Sequence, residues 1–262
     1  MNPNAAFYER IAQYYDAENA DMTDDLVMYG ELAAETGGPV LDVGCGTGRV
    51  MLHLAQESYQ VVGVDRSQAM LARAQRKLDL MPDLKRQVTI QQGDALRLTL
   101  TEQFRLILVT YNSFMQFGDQ ADQLAALRGF SRLLDDDGLL VMDLPNAAEA
   151  YATPDDNAVS LERMFIEPES GRLVMQQTVS ELDRATQELD ITWIYDEIGE
   201  DGTVRRTLAP LLLRYVFAAE MDLMLAAAGL RRVAYYGDYT REPFADGCPR
   251  MIVLAGKAEA AR

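Results

Sequence analysis

Histidine is almost missing from this 262-residue chain: His53 is the only one. Cysteine is nearly as scarce, with Cys45 and Cys248 alone. So few ligands cannot make a spaced zinc cluster or a disulfide framework, and free thiols in a reducing, cytoplasmic compartment are expected, with no metal. Basic residues are also in short supply, 24 Lys and Arg against 41 Asp and Glu, for a net charge of −17. The longest basic runs are pairs, Lys85-Arg86, Arg205-Arg206 and Arg231-Arg232. Nucleic acids and anionic membrane surfaces are gripped by clustered Lys and Arg, so neither is an expected partner. An acidic surface favours cationic partners such as amines. No apolar run approaches the roughly 20 residues that cross a bilayer. The N-terminal residues lack the charged and apolar blocks of a signal peptide.

What is present is ample apolar material, 48% of residues, patterned as alternating short strands and helices. Residues 4–35 read as helical and are stopped by Thr36-Gly37-Gly38-Pro39. Apolar runs at Val40–Val43, Val61–Val64, Val88–Gln91 and Phe104–Thr110 alternate with helical spacing at 49–57, Ser67–Leu80 and Ala121–Leu134. A turn at Asp135–Gly138 leads into a strand at Leu139–Asp143. Such alternation predicts βαβ units around a parallel sheet covered on both faces. Between residues 160 and 216 the runs become longer and are joined by hairpin-like turns, which predicts an antiparallel insertion. A helix over Ala219–Ala228, closed by Gly229, and strands at Leu230–Tyr236 and Arg250–Ala255 complete the chain. The expected division is 1–36, an N-terminal helical lid; 37–150, a Rossmann-like core; 151–216, the insertion; and 217–262, the rest of the core.

The segment with chemistry in it is Val40-Leu41-Asp42-Val43-Gly44-Cys45-Gly46-Thr47-Gly48-Arg49-Val50. A buried strand enters a turn with glycines at 44, 46 and 48, then a helix whose first N–H groups are free. Asp65 follows the next strand, nineteen residues after Gly46, where a carboxylate can accept from both hydroxyls of a ribose. The spacing is G-x-G-x-G rather than the G-x-G-x-x-G of dinucleotide sites. With Asp42 just before the turn, the loop suits a ligand with a cationic amino-acid end better than a pyrophosphate.

On these residues the chain resembles the class I S-adenosylmethionine-dependent methyltransferases. Val40–Val50 looks like their first motif, Val61–Ser67 their second, Gln92–Ala95 their third and Tyr111–Phe114 their fourth. The resemblance implies a seven-stranded Rossmann-like α/β sheet with helices on both faces, an antiparallel last strand, and the β insertion before the penultimate strand. It also implies S-adenosylmethionine as cofactor, with Gly44, Cys45 and Gly46 facing its methionine part and Asp65 holding the ribose. Arg66 and Met70 would flank the adenine, and Asp94 and the Ala95 N–H would bond to it. Within the family, the chain is more similar to small-molecule enzymes with such an insertion, including amino-sugar and glycine-type N-methyltransferases. In those, an N-terminal Tyr-Asp segment folds over the cofactor, a position matched here by Tyr15-Asp16 beside Tyr14. Many relatives carry histidine shortly after the position of Asn112; here Met115 and Gln116 stand there.

Methyl transfer from a sulfonium asks the protein mainly for alignment and exclusion of water. An amine acceptor needs little base help, whereas a hydroxyl needs a general base. His53 is expected to be a structural residue of the helix after the glycine turn, which tilts the expectation to nitrogen. Ligands of open α/β sheets sit beyond the carboxyl ends of the strands, so Asn112, Asp143 and Asn146 are the acceptor-side candidates; the resemblance adds Tyr15 as a lid residue with its ring or hydroxyl near the sulfonium, and Tyr111 beside the cofactor. Competing readings are an O-methyltransferase, with Asp143 or a tyrosine as base, a non-catalytic S-adenosylmethionine sensor, and a nicotinamide oxidoreductase, which the glycine spacing disfavours. The insertion could roof the acceptor pocket, pair two copies into a homodimer, or do both.

Overall fold

The computed structural model describes residues 4–152 and 158–258; residues 1–3, 153–157 and 259–262, which belong to the expected lid, insertion and final core segment, lie outside the described residues. Two helices open the described chain, α1 (Ala5–Glu18) and α2 (Asp24–Thr36). The single helical stretch expected over 4–35 is therefore broken. Asn19 ends α1 by bonding its side-chain amide back to the Tyr15 carbonyl, the competition that short polar side chains offer a helix. Asp24 and Asp25 then restart one, at the positive end of the α2 dipole.

Five parallel strands follow, β1 (Val40–Val43), β2 (Val61–Asp65), β3 (Val88–Gln92), β4 (Phe104–Val109) and β5 (Leu134–Pro145). Between them run α3 (Arg49–Gln56), α4 (Gln68–Asp79) and α5 (Gln120–Leu133). The sheet is completed by β10 (Leu230–Tyr236) and the antiparallel β11 (Arg250–Lys257), giving the order β10-β11-β5-β4-β1-β2-β3. The expected turn at 135–138 lies instead within β5, as an irregularity in its pairing with β4: Phe104 faces Leu134 and Leu106 faces Leu139. Gly138 allows this close approach, since a Cβ there would sit 2.9 Å from the Phe104 carbonyl oxygen. A short helix that the sequence did not suggest, α6 (Ala147–Ala152), follows β5 and is started by Asn146, whose side chain accepts from the Ala148 N–H.

Alternate residues of each strand feed two cores. Leu41, Val43, Ile107, Leu140 and Met142 meet α5 and α7 (Ala218–Ala227) on one face. Val40, Leu106, Leu108 and Val141 meet α2, α3 and α4 on the other. The insertion forms its own antiparallel sheet, β6 (Ser160–Ile166), β7 (Leu173–Asp183), β8 (Glu188–Ile198) and β9 (Val204–Arg214), in sequence order.

Helix α1 is the element that joins the two sheets. Phe7, Ile11 and Tyr14, one helical stripe, are buried against Val174, Tyr195, Ala209 and Leu211 of the insertion. Burying side chains of this size contributes about 1.5–3 kcal/mol each, enough to hold the helix in place. A second stripe, Tyr8 and Tyr15, faces the core domain, and their rings meet edge to face at 6.3 Å. A third, Glu9 and Asp16, reaches α4.

Candidate active site

The carboxyl ends of β1, β2 and β4 open into a cavity of about 930 Å³, counted to its mouth and roofed by α1. Its floor is the glycine turn. Gly44, Gly46 and Gly48 all have positive φ, which only glycine adopts without strain. A Cβ at Gly44 would also lie 2.7 Å from Ser113 Oγ, so the turn packs directly against the segment after β4. The loop amides turn partly inward: Gly44 and Cys45 donate to the Val64 carbonyl, and Gly46 donates to Asp65 Oδ2 at 2.9 Å. These are turn amides; the free N–H groups expected of the helix start belong to α3, which begins at Arg49.

Asp65 ends β2 with its other oxygen accepting from the Ser67 N–H at 2.8 Å. Burial pushes its carboxyl upward, and the Ser67 and Gly46 amides offset part of that. Two such bonds leave lone pairs on both oxygens for further donors. Asp42 is more exposed to the cost of burial in the energetic sense. It is 1% accessible and lines the cavity, and neither oxygen has a well-aligned hydrogen-bond partner, the Met51 N–H contributing only a weak pull. Desolvation raises its pKa to about 7 against the pull of Arg49. An orphaned buried carboxylate facing a cavity is the signature of a missing cationic or donor group. Arg49 does not fill that role, because Asp25 on α2 holds it through two bonds of 2.6 Å.

The eleven residues expected around the cofactor are brought together here. Tyr15, Asp42, Gly44, Cys45 and Gly46 line the cavity on one side; Asp65, Arg66, Met70, Asp94, Ala95 and Tyr111 line it on the other. Cys45 is buried and its thiol is pushed well up by burial, which keeps it protonated. Asp94 caps the short turn that follows by accepting from the Leu96 N–H.

The acceptor-side expectations fare differently. Asn112 and Asp143 do not line this cavity. Asp143 is fully buried and spoken for: Arg250 donates to Oδ1, and Tyr239 and Tyr29 donate to Oδ2 at 2.9 and 3.3 Å. Asn112 Oδ1 accepts from the same Arg250 at 2.9 Å. The Asp143 carboxylate is paired with an arginine and two hydroxyls and neither residue faces the cavity, so the geometry gives no support to a direct role of either in transfer. Their geometry does bear on the site, because Tyr111 and Asn112 are consecutive positive-φ residues. For tyrosine this is an uncommon conformation, and the Arg250 clamp holds the pair in it. Asn146 donates to the Cys248 carbonyl and caps α6, away from the cavity. His53 sits on α3 near Glu57, the residue that follows the helix, and does not line the cavity.

Tyr8 and Glu9, which the sequence did not single out, complete the roof together with Asp16, whose place beside Tyr15 was expected. Tyr8 lines the cavity and accepts from Gln116 Nε2 at 2.7 Å. Asp16 latches the lid. It accepts from Thr47 Oγ1 in the glycine turn and from Lys77 Nζ, both at 2.6 Å, and pairs with Arg73. Burial opposes its ionisation, but these three groups hold its carboxyl below the usual range. Glu9 accepts from Ser67 Oγ at 2.8 Å. Among the described residues no cluster of three potential metal ligands occurs.

Comparison with known proteins gives consistent matches. The profile of a family described as a methyltransferase domain matches residues 40–138. The cypemycin N-terminal methyltransferase of a Streptomyces species is 29% identical over 218 residues, covering 83% of this chain and 82% of that protein. The dTDP-3-amino-3,4,6-trideoxy-alpha-D-glucopyranose N,N-dimethyltransferase of Streptomyces venezuelae is 27% identical over 86% of this chain and 87% of its own. Among solved structures, the CcbJ methyltransferase of Streptomyces caelestis superposes with a TM-score of 0.82 at 26% identity, over 98% of both chains.

Proposed function

We propose, from the premise that the chain belongs to the class I S-adenosylmethionine-dependent methyltransferase family, that it methylates an amine nitrogen of a small molecule. The observation carrying the cofactor site is Asp42, a buried carboxylate without partners at the floor of the cavity, with Asp65 at the next strand end. Asp42 faces the amino-acid end of the ligand and Asp65 the ribose hydroxyls. Arg66 and Met70 flank the adenine, Asp94 and Ala95 bond to it, and Gly44, Cys45 and Gly46 let the chain pass close to the methionine part. When bound, the cofactor supplies a methyl group already activated by its positive sulfur.

What the chain itself supplies is alignment and dryness. α1 closes over the cavity, and Tyr8, Tyr15 and Tyr111 face its interior. Burial pushes all three hydroxyls upward, so they are neutral donors and poor bases. With His53 elsewhere and Asp143 neutralised by Arg250, a hydroxyl acceptor finds no strong base among the groups the sequence suggested. An amine needs only to lose one proton. The relatives fit: one acts at a peptide N-terminus by its name, another on an amino sugar.

The proposed division of labour follows the chain: residues 1–36 form the lid, 37–150 and 217–262 the cofactor core, and 151–216 the roof behind the lid. The acidic surface argues against nucleic acid, and a cytoplasmic location suits the free thiols. No helix among the described residues is long and apolar enough to cross a membrane. A homodimer through the outer face of the insertion, where Met164, Ile166, Val204 and Leu208 are exposed, is consistent with this arrangement.

The test is calorimetry with S-adenosylhomocysteine and NAD, followed by transfer of labelled methyl to paired amines and alcohols. Binding of S-adenosylhomocysteine alone, with label on amines, is expected. Label on alcohols only would sink the nitrogen assignment, and binding with no transfer would favour a sensor.

A further inference from the structure

Among the described residues, burial raises the pKa of three carboxyls: Asp42, Asp65 and Glu18. Other buried acids have partners that offset burial: Asp25 has Arg49, Asp143 has Arg250, and Glu167 accepts from the Glu169 and Ser170 N–H groups. Two of the three raised acids line the cofactor cavity. The third, Glu18, is the last residue of α1, one helical turn beyond the cavity-lining Tyr15.

Glu18 is held only by neutral donors. Tyr195 Oη donates to its Oε2 at 2.9 Å, Gln176 Nε2 donates to the same oxygen at 3.0 Å, and Asn19 Nδ2 donates to Oε1 at 3.3 Å. No ion pair among the described residues includes it, and the nearby Arg163 donates to its backbone carbonyl, not to the carboxylate. Beside it lies a second unfilled group. Gln176 is 2% accessible, and while its Nε2 is used by Glu18 and Tyr195, its Oε1 has no partner. Tyr195 cannot move to serve it, being buried in a stack with Tyr14 at 4.6 Å. A rigid carboxylate and a lone amide oxygen, side by side and short of N–H donors, match a group with two or three N–H bonds and a positive charge. Glu18 and Gln176 do not themselves line the cavity, but Tyr8, Tyr15 and Tyr111, which do, all lie within the field of Glu18, so its charge is felt on the lid side of that space.

We propose that Glu18 and Gln176 Oε1 form the acceptor subsite, binding the ammonium group of the substrate, with Glu18 taking its proton. The proposal rests on the methyltransferase reading above and names the feature by which that site selects amines. The proton passes from nitrogen to a Glu18 oxygen, and the freed lone pair then forms the new N–C bond as the methyl carbon's bond to sulfur breaks, its electron pair staying on sulfur. The product ammonium is balanced by the loss of the sulfonium charge, and Glu18 returns its proton to solvent. Burial brings the Glu18 carboxyl to about 7, where it can both hold and release a proton near neutrality. The other groups facing it are Tyr195, Gln176, Asn19, Arg163, Tyr8, Tyr15 and Tyr111. The tyrosines are pushed upward by burial, and Glu18 is the group of this set brought to about 7.

The test uses benzylamine and benzyl alcohol, nearly isosteric probes, titrated into the full chain saturated with S-adenosylhomocysteine. The wild-type protein is expected to prefer the amine by about tenfold or more, and the preference should grow as pH rises through about 7. In Glu18→Gln the preference and its pH dependence should vanish, with S-adenosylhomocysteine affinity kept within about twofold. Gln176→Leu, which keeps the carboxylate, should weaken the amine severalfold and leave the alcohol unchanged. A wild-type protein indifferent to the amine, or a Glu18→Gln variant that still prefers it, overturns the proposal, as does loss of S-adenosylhomocysteine binding in that variant. Failure of the wild-type protein to bind S-adenosylhomocysteine overturns the methyltransferase reading itself, and the subsite with it.

Discussion

Replacing Arg250 with alanine removes the only cation from a carboxylate that has no access to water. Asp143 is 0% accessible and Arg250 15%. Taking away one partner of a buried pair costs about 3–5 kcal/mol, because the remaining charge is left unpaired. Tyr239 and Tyr29 still donate to Oδ2, so the lower figure applies, about 3 kcal/mol. In a chain of this size that loss lowers Tm by about 6–12 °C. The effect should reach the site as well. Arg250 also fixes the Asn112 side chain, and Asn112 follows the strained Tyr111 that lines the cavity. Loosening that pair should weaken S-adenosylhomocysteine by about tenfold, the equivalent of 1.4 kcal/mol. Thermal melts and calorimetry read the two effects separately. The decisive variant is the double substitution Arg250→Ala, Asp143→Asn, which removes the orphaned charge and should recover a coupling energy of about 1–3 kcal/mol. A single-variant loss below about 1 kcal/mol, or a double variant as unstable as the sum of its parts, would refute this account of the clamp.

Asp65→Ala should lower S-adenosylhomocysteine affinity by about 100-fold, since two charge-assisted bonds to ribose hydroxyls are lost at about 1.5 kcal/mol or more each; calorimetry checks it. Asp42→Asn should separate stability from binding. Burial raises the folded-state carboxyl to about 7 from an ordinary value near 4, so the folded protein holds the proton more tightly. Apoprotein stability therefore falls as pH rises across that window and levels off above it. The asparagine variant should melt higher than wild type at about pH 8, by a margin on the order of a few kcal/mol, yet bind the cofactor less tightly. In the wild type, affinity should climb as pH passes about 7, and this climb should be absent in the variant. Asp16→Asn cuts the latch from α1 to Thr47 and Lys77. Stability should change by less than about 1 kcal/mol, because the pair is partly exposed, while dissociation of S-adenosylhomocysteine in stopped flow quickens severalfold. An unchanged off-rate would mean that α1 does not gate the cavity.

The parts of the site that were legible in the sequence are local. Gly44, Gly46, Gly48 and Asp42 announce themselves because a turn and a strand end occupy a few consecutive residues. Asp65 adds one strand of fixed length to that pattern. Arg250 was not legible, since its partner is reached only once antiparallel β11 is laid beside β5, with Ile252 opposite Asp143. The partners of Asp143 were hidden for the same reason: a carboxylate at a strand end looks free until its cation is placed. The helical stretch over 4–35 had the right period, but an apolar pattern does not show that Asn19 bonds backward and ends the first helix. Glu18 carried no sequence signal at all. Its character comes from Tyr195 and Gln176, more than 150 residues away, which strip it of water without offering a charge.

The raised acids also bear on the choice between nitrogen and oxygen. Moving a methyl from a sulfonium to a neutral amine keeps one positive charge in the site, first on sulfur and then on nitrogen. A cavity walled by Asp42 and Asp65, with Glu18 behind its tyrosines, holds a cation at every stage, and the cost of keeping those carboxylates out of water is offset throughout. Methylation of a hydroxyl ends with a neutral ether, and the positive charge departs as a proton. The acceptor-side carboxylate would then sit buried and unpaired beside its product, or stay protonated and idle as a base. Among the described residues, Asp25 and Asp143 pair with arginine, and Asp16 with lysine and arginine; Asp42 and Asp65 have no such cation and wall the space where the reaction supplies one of its own, with Glu18 one helical turn beyond its lid.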